Sequence, residues 1–389
     1  MKLLNSISLV FLALTLIALP VAAQKDKKDK DKDKPNQHGN GPNPHDIEQK
    51  VNELAGQFMQ SGGVGMVVGV IDGNKQFLYE FGQTAKANGH KPSPDTLFQI
   101  GSITKTFTAT VLADEVRKGH VAYSDPLQKF VPTGITVPSL DGRKISLLDL
   151  ATHTSGLPRK LNNGSYPTPP QAMFNFIDHY TLTDKPGTHY LYSNLAFGLL
   201  AVALAREASA PNWMYLVKTE VNQPLGLIDT VVDPSPQQIT RRAQGYNAMG
   251  NPAQYEMSGF PAMNGAGALY STGNDMMKFL NYNLGLAHSS IDPLLNDLQK
   301  SWRPVNNNPG KFVGLAWQIT EGPTRMVWKN GSTGGFRSFI GFCKEKQIGV
   351  FVLSNTLQAS PDQLGNQLLR YLTGAEAAVD DDSDDHDHS

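Results

Sequence analysis

The pattern of apolar and polar positions divides the chain into two polar ends and one long body. After Lys2, an apolar run extends from Leu9 to Leu19, followed by Pro20 and Val21-Ala22-Ala23-Gln24. A positive start, a short apolar segment and small residues ahead of a polar one predict an export signal, residues 1–23. The run is shorter than the roughly 20 residues that a spanning helix requires, so no stable membrane insertion is expected once the signal is cut. Lys25 to Lys34 mixes Lys with Asp, and Pro35 to Pro44 is rich in Asn, Gly and Pro. Neither segment can bury a core, so 24–45 is expected to be a solvated linker. At the other end, Asp380 to Ser389 holds six Asp and two His. Residues 375–389 are expected to form a disordered acidic tail, because nothing there fixes a metal-ligand geometry.

Residues 46–374 remain as the folded body. Met66 to Ile71 and Gln76 to Phe81 are strand-length runs joined by Asp72-Gly73-Asn74, a hairpin signal. Ile103 to Lys118, Ser193 to Ala208 and Asn274 to Leu284 read as helices. Val313 to Ile319, Met326 to Trp328, Ser338 to Cys343 and Gly349 to Leu353 read as successive strands, and Asp362 to Leu372 as a last helix. Strands at both ends with helices between predict an α/β fold of the α+β type. An antiparallel sheet of N- and C-terminal strands is flanked by helices and carries a helix-rich inserted region. The cleft between sheet and insert is the default place for a site.

Composition narrows the class. Of 389 residues, 40% are apolar and 18% charged, enough for a large core and too little charge for a disordered chain. The net charge of −1 gives no reason to expect a nucleic-acid partner. The single cysteine, Cys343, excludes a disulfide framework within the chain and a Cys-based metal cluster. Its apolar surroundings predict an inert buried thiol. A monomer is expected.

The strongest chemical signal is Gly101-Ser102-Ile103-Thr104-Lys105, the one Ser-x-x-Lys in the chain. A strand-like run, Thr96 to Ile100, leads into it and a helix leaves from it. Ser102 thus sits at a helix start, where free N–H groups favour developing negative charge, and Lys105 lies on the same helix face. An ammonium beside a serine lowers the cost of an alkoxide, and a neutral amine can take its proton. By itself Ser102 reads equally well as a helix cap. Tyr192-Ser193-Asn194 lies at the entrance to a second apolar helix. Two nearby cations would make Tyr192 a usable base or proton relay, and Asn194 could hold Lys105 and a substrate carbonyl. A lone Tyr-x-Asn reads better as a half-buried aromatic and a cap. In Trp328-Lys329-Asn330-Gly331-Ser332-Thr333, Lys329 can pair with a substrate carboxylate, and Gly331 lets a substrate backbone lie against a strand. The N–H of Ser332 can join that of Ser102 in an oxyanion hole. On its own this element reads as a glycine-rich hairpin connection.

Together, Ser102-x-x-Lys105, Tyr192-x-Asn194 and Lys329-x-Gly331 resemble the class C β-lactamases and the related penicillin-binding DD-peptidases and esterases. Leu147 to Pro158 and Gly265 to Thr272 are similar to further landmarks of that family, and the resemblance covers about Val51 to Leu372. It implies a serine hydrolase that works through an acyl-enzyme, with Ser102, Lys105 and Tyr192 catalytic and Asn194, Lys329, Gly331 and Ser332 binding substrate. It implies neither metal nor organic cofactor. Asn330 stands where the β-lactamase box carries a hydroxyl residue, and Arg159-Lys160 where a glutamine is common. Gly65 to Gly73 and Tyr192 to Ala201 look more like the periplasmic carboxypeptidase/endopeptidase branch. The expected substrates are D-alanyl-D-alanine peptides, with β-lactams as inhibitors or slow substrates, and the expected location is periplasmic or secreted. A true β-lactamase, an esterase and a penicillin-binding sensor that acylates without turnover are the alternatives. His153 beside Ser155 reads as a structural histidine, since no Gly-x-Ser-x-Gly elbow accompanies it. Trp302, Trp317 and Trp328 read as core or cleft wall.

Overall fold

The computed structural model describes residues 43–161, 169–253 and 261–375. The expected signal, nearly all of the linker and the acidic tail beyond residue 375 lie outside these residues. The strands in chain order begin with β1 (Gly65–Asp72), β2 (Lys75–Gly82) and β3 (Phe98–Gln99). The helical insert carries β4 (Ser139–Leu140), β5 (Arg143–Lys144) and β6 (Tyr270–Ser271). The C-terminal part supplies β7 (Arg303–Pro304), β8 (Lys311–Val313), β9 (Gln318–Thr320), β10 (Met326–Ser332), β11 (Arg337–Cys343) and β12 (Ile348–Ser354). Eight of them form one sheet in the order β2-β1-β12-β11-β10-β9-β8-β7. Every pairing in it is antiparallel. The first and last strands of the chain pair next to the β2 edge, with Met66 opposite Ser354 and Asp72 opposite Ile348. The predicted closure by the two ends of the chain is what forms.

Successive side chains of a strand point to opposite faces, and β1 and β12 are apolar on both. Met66, Val68 and Val70 of β1, with Val350 and Val352 of β12, pack under α1 (Pro44–Gln60) and the C-terminal helix. Val67 and Ile71, with Phe351 and Leu353, face the helical insert. Its main helices are α2 (Thr104–Arg117), α3 (Leu147–Ala151), α4 (Pro170–His179), α5 (Asn194–Glu207) and α6 (Gly273–Leu284); α7 (Pro361–Thr373) closes the chain. α1 starts on a capping box between Asn43 and Asp46, with Pro44 in the first turn. α2 is buried from Thr104 to Glu115. Two of its four threonines satisfy their hydroxyls locally, Thr106 donating to Ile103 O and Thr110 to Thr106 O, whereas Thr108 donates to Gly265 O and Thr104 accepts from Leu269 N–H.

Two elements differ from expectation. Val313 to Ile319 is not one strand: β8 ends at Val313 and β9 starts at Gln318. Between them Gly314 N–H donates to Trp317 O and Ala316 takes φ +69°, so the chain reverses. The strand expected over Met326–Trp328 runs on through Ser332, so Lys329, Gly331 and Ser332 are strand residues rather than a hairpin connection. Cys343 is buried at the end of β11, and burial raises its thiol pKa above the usual value. Trp317 is fully buried in the core, whereas Trp302 and Trp328 are half-buried.

Candidate active site

Ser102 lies in a 3-10 turn, Gly101–Ile103, that feeds directly into α2. Two glycines bring β10 against this turn. A Cβ on Gly331 would stand 2.1 Å from Ile100 O and 2.9 Å from Ser102 N. A Cβ on Gly101, whose φ is +48°, would stand 2.5 Å from Ser332 N. Only bare backbone on both sides allows the approach. Ser338, opposite Gly331 on β11, ties the strands to the turn by donating its hydroxyl to Ile100 O at 2.8 Å.

Lys105 is completely buried. Its Nζ donates to Ser102 Oγ at 2.9 Å, to Asn194 Oδ1 at 2.7 Å and to Ala266 O at 2.6 Å. An ammonium has three N–H bonds, and these acceptors match them one for one. Tyr192 OH donates to Ser102 Oγ at 2.7 Å. Ser102, Lys105, Tyr192 and Asn194 are thus joined directly, although more than eighty residues separate the two pairs. Lys329 is also completely buried, with Nζ 4.9 Å from the Tyr192 ring centroid. Lys105 Nζ and Arg159 Cζ each lie 5.0 Å from the same centroid. Three cations therefore surround one phenol.

The Tyr192 segment is held from α3. Ser193 caps α5, accepting from Ala196 N–H at 2.9 Å and donating its hydroxyl to Pro158 O at 2.7 Å. His153 follows the last turn of α3 in the left-handed region, φ +56°. Thr154 N–H donates to Asp149 O and His153 N–H to Leu150 O, so the helix ends on a Schellman motif. Glycine is the usual residue at that position. The imidazole is fully buried, stacks on the Tyr192 ring at 4.3 Å and 28°, and accepts Ser193 N–H on Nδ1 at 3.1 Å. Burial, then the nearby Lys105, Lys329 and Arg159, hold its pKa well below the usual 6.5. It is neutral and it is bonded to backbone, not paired with a serine as a base.

Two contributions were missed in the sequence. The Ala266 carbonyl sits in the Gly265–Thr272 run but carries no side-chain chemistry to mark it. The contact of His153 with Tyr192 is invisible at a separation of almost forty residues. Asn330 Nδ2 lies 3.4 Å from Asp362 Oδ2 at the start of α7, and Asn330 Oδ1 lies 3.5 Å from Lys329 Nζ.

A serine at a helix start, a buried lysine and a phenol on its Oγ, set at the edge of a sheet closed by both chain ends, define a serine hydrolase of β-lactamase/transpeptidase-like fold. The chain belongs to the Beta-lactamase family, which it matches over residues 51–374. It is 33% identical over 316 residues to the D-alanyl-D-alanine-carboxypeptidase/endopeptidase AmpH of Escherichia coli, covering 76% of this chain and 80% of that protein. It is 28% identical over 347 residues to a β-lactamase of Pseudomonas fluorescens, covering 80% and 94%. A solved structure of a β-lactamase/D-alanine carboxypeptidase from Yersinia pestis, complexed with citrate, superposes with a TM-score of 0.73 at 28% identity, covering 84% and 99%.

Proposed function

We propose that this chain is an exported peptidase that acylates itself at Ser102 on D-alanyl-D-alanine peptides and is trapped by β-lactams. The observation that carries the reading is the double contact on Ser102 Oγ, from Lys105 Nζ and from Tyr192 OH. With Tyr192 ionised to the phenolate and Lys105 an ammonium, Ser102 Oγ attacks the peptide carbonyl while its proton passes to the Tyr192 oxygen. The same proton then goes to the departing amine, and the C–N bond breaks to leave an ester on Ser102. Water attacks that ester, gives its proton to the Tyr192 oxygen, and releases the acid as Ser102 regains a hydrogen. The N–H groups of Ser102 and Ser332 hold the oxyanion, Asn194 and the Gly331 backbone align the substrate, and Lys329 receives its carboxylate. A phenolate formed at Tyr192 would lie among three cations, the environment that favours it.

The likeness to a carboxypeptidase/endopeptidase supports the peptidase over the β-lactamase. So do Asn330, turned toward Asp362, and Arg159 against Tyr192. In this reading 1–23 is the signal, 24–45 the linker, 46–374 the hydrolase and 375–389 a tail, and the mature chain acts outside the cytoplasm as a monomer. No helix among the described residues is long and apolar enough to cross a membrane.

The test is to incubate purified protein with a β-lactam, following the mass of Ser102 and the hydrolysis product together, and separately to supply a peptide ending in D-Ala-D-Ala. The expected result is a burst equal to the enzyme concentration, slow deacylation, and turnover of the peptide with release of D-alanine. Ser102→Ala should form no adduct. Fast multiple-turnover cephalosporin hydrolysis without D-alanine release would establish the β-lactamase instead.

A further inference from the structure

We propose that His153 is a positioning residue for Tyr192: a buried imidazole that clamps the backbone on both sides of the tyrosine and fixes the plane of its ring. The inference rests on the reading of Tyr192 as the proton relay and names what aims it.

The clamp uses both the main chain and the side chain of His153. Its carbonyl accepts Leu191 N–H at 2.7 Å, and its Nδ1 accepts Ser193 N–H at 3.1 Å. Leu191 and Ser193 are the two neighbours of Tyr192 in sequence, so one residue holds the peptide groups flanking the phenol. The ring of His153 stacks on that of Tyr192 at 4.3 Å, with Tyr190 edge-on at 5.7 Å and Phe197 tilted at 4.9 Å. The Tyr192 ring can neither rotate toward α3 nor lift away without breaking one of these contacts. Its hydroxyl reaches Ser102 Oγ from this fixed position.

The clamp requires the neutral tautomer. Nδ1 is an acceptor, so Nε2 bears the proton, and Nε2 is buried without a hydrogen-bond partner. The groups that face the ring are the phenols of Tyr190 and Tyr192 and the cations Lys105, Lys329 and Arg159. Burial and the three cations disfavour an imidazolium, and a charged ring would lose the Nδ1 lone pair that holds Ser193.

The backbone supplies an independent observation. His153 occupies the left-handed position that ends α3, where a glycine fits without strain. Histidine tolerates that conformation better than most residues, but helix termination alone gives no reason to prefer it. The side chain is what a glycine would lack, and its hydrogen bond and ring stacking go to the Tyr190–Phe197 segment.

The test is a double-mutant cycle on the rate of acylation by a chromogenic cephalosporin, using His153→Gly and Tyr192→Phe singly and together. His153→Gly suits the backbone but empties a buried site, so the protein should stay folded with a lowered thermal midpoint, acylate about 10- to 100-fold more slowly, and keep its half-saturating concentration within about twofold. In the Tyr192→Phe background the same change should slow acylation less than about twofold, because the relay it aims is gone. Equal slowing in both backgrounds, or none in either, overturns the proposal while leaving Tyr192 in its role. Full acylation by Tyr192→Phe alone overturns the relay and this inference with it. His153→Asn tolerates the same backbone and can still accept from Ser193; it should recover part of the rate lost in His153→Gly. Recovery of none would remove the Nδ1 contact from the clamp. Should His153→Gly not fold, the cycle is run with His153→Asn.

Discussion

The two ends of α2 bury charge in opposite ways. At the N-terminal end, Lys105 is held by three oxygens that carry no formal charge: a hydroxyl, a side-chain amide and a backbone carbonyl. At the C-terminal end, charge is met by charge. Lys118 Nζ reaches Asp114 at 2.8 Å, Glu115 at 3.0 Å and Glu220 at 2.8 Å, Arg117 bonds Asp114 at 2.6 Å, and His120 Nδ1 lies 2.9 Å from Glu115. Neutral acceptors fix a cation in space yet leave its field intact for Ser102 and Tyr192. Ion pairs fix a cation and cancel it. One helix thus carries an end built for reactivity and an end built for cohesion.

The cohesive end also shares a proton. Burial pushes the Glu220 carboxyl up to about 7, helped by the neighbouring charge of Glu115. Burial acts on Glu115 in the same sense, but hydrogen bonds from His120 and Lys118 outweigh it and hold that carboxyl below its usual range. The proton of the pair therefore sits on Glu220. Lys118 stays charged, its own burial outweighed by its bonds to the carboxyl groups of Asp114, Glu220 and Glu115.

The comparison can be broken most sharply at Lys105. Lys105→Ala should slow acylation by roughly 10⁴-fold while changing unfolding free energy by no more than about 1 kcal/mol, since the lost hydrogen bonds offset a relieved buried charge. Burst kinetics with a β-lactam and urea unfolding of the same preparation check both halves. Glu115→Ala should do the reverse, with about 2–3 kcal/mol of stability lost and kcat/KM within about twofold of the parent. A loss of activity there, at full folding, would mean that the far end of α2 does more than hold the helix.

His153 sharpens the contrast through pH. Its folded pKa lies below the unfolded value of about 6.5. Below pH 6.5 the unfolded chain binds a proton that the folded chain does not. Stability contributed by this residue is therefore complete above that pH and falls as the pH drops. The slope is up to about 1.4 kcal/mol per pH unit until the folded ring titrates. His153→Asn should remove that part of the slope in urea unfolding measured from pH 7 to 5. Glu220 gives the smallest effect and the opposite sign. Its raised pKa means that the folded carboxyl is penalised increasingly from pH 4.5 to 7 and fully above it. Glu220→Gln should stabilise by about 1–2 kcal/mol at pH 8 and by nothing at pH 4, read from thermal midpoints.

The fold class was legible in the chain, and so were the four polar residues that the fold brings together. Ser102, Lys105, Tyr192 and Asn194 stand at helix starts, where short motifs survive because both spacing and cap chemistry are local. β1 and β12 were legible because both are apolar on both faces. α1 went unread, although Ile47, Val51, Leu54, Ala55 and Phe58 recur at helical spacing, because Lys, Asn, Glu and Gln between them dilute the signal. The reversal between β8 and β9 had no local mark, since Val313 to Ile319 is apolar through the turn and the chain turns where a Cβ on Gly314 would stand 2.6 Å from Leu298 O. Contacts that depend on the fold, such as Ala266 O on Lys105 and His153 on Tyr192, have no sequence spacing to betray them.

The pairing of β1 with β12 has a consequence for the order of events during synthesis. The hairpin of β1 and β2 emerges early, but its inner edge stays open until the last strand arrives. Such long-range pairing makes folding slow and leaves apolar edges uncovered meanwhile. Ser102 emerges early as well, yet the strand that carries Lys329 and Ser332 belongs to the late group. A partly synthesised or truncated chain therefore presents a serine with no completed cleft around it, and reactivity appears only when the whole body has closed.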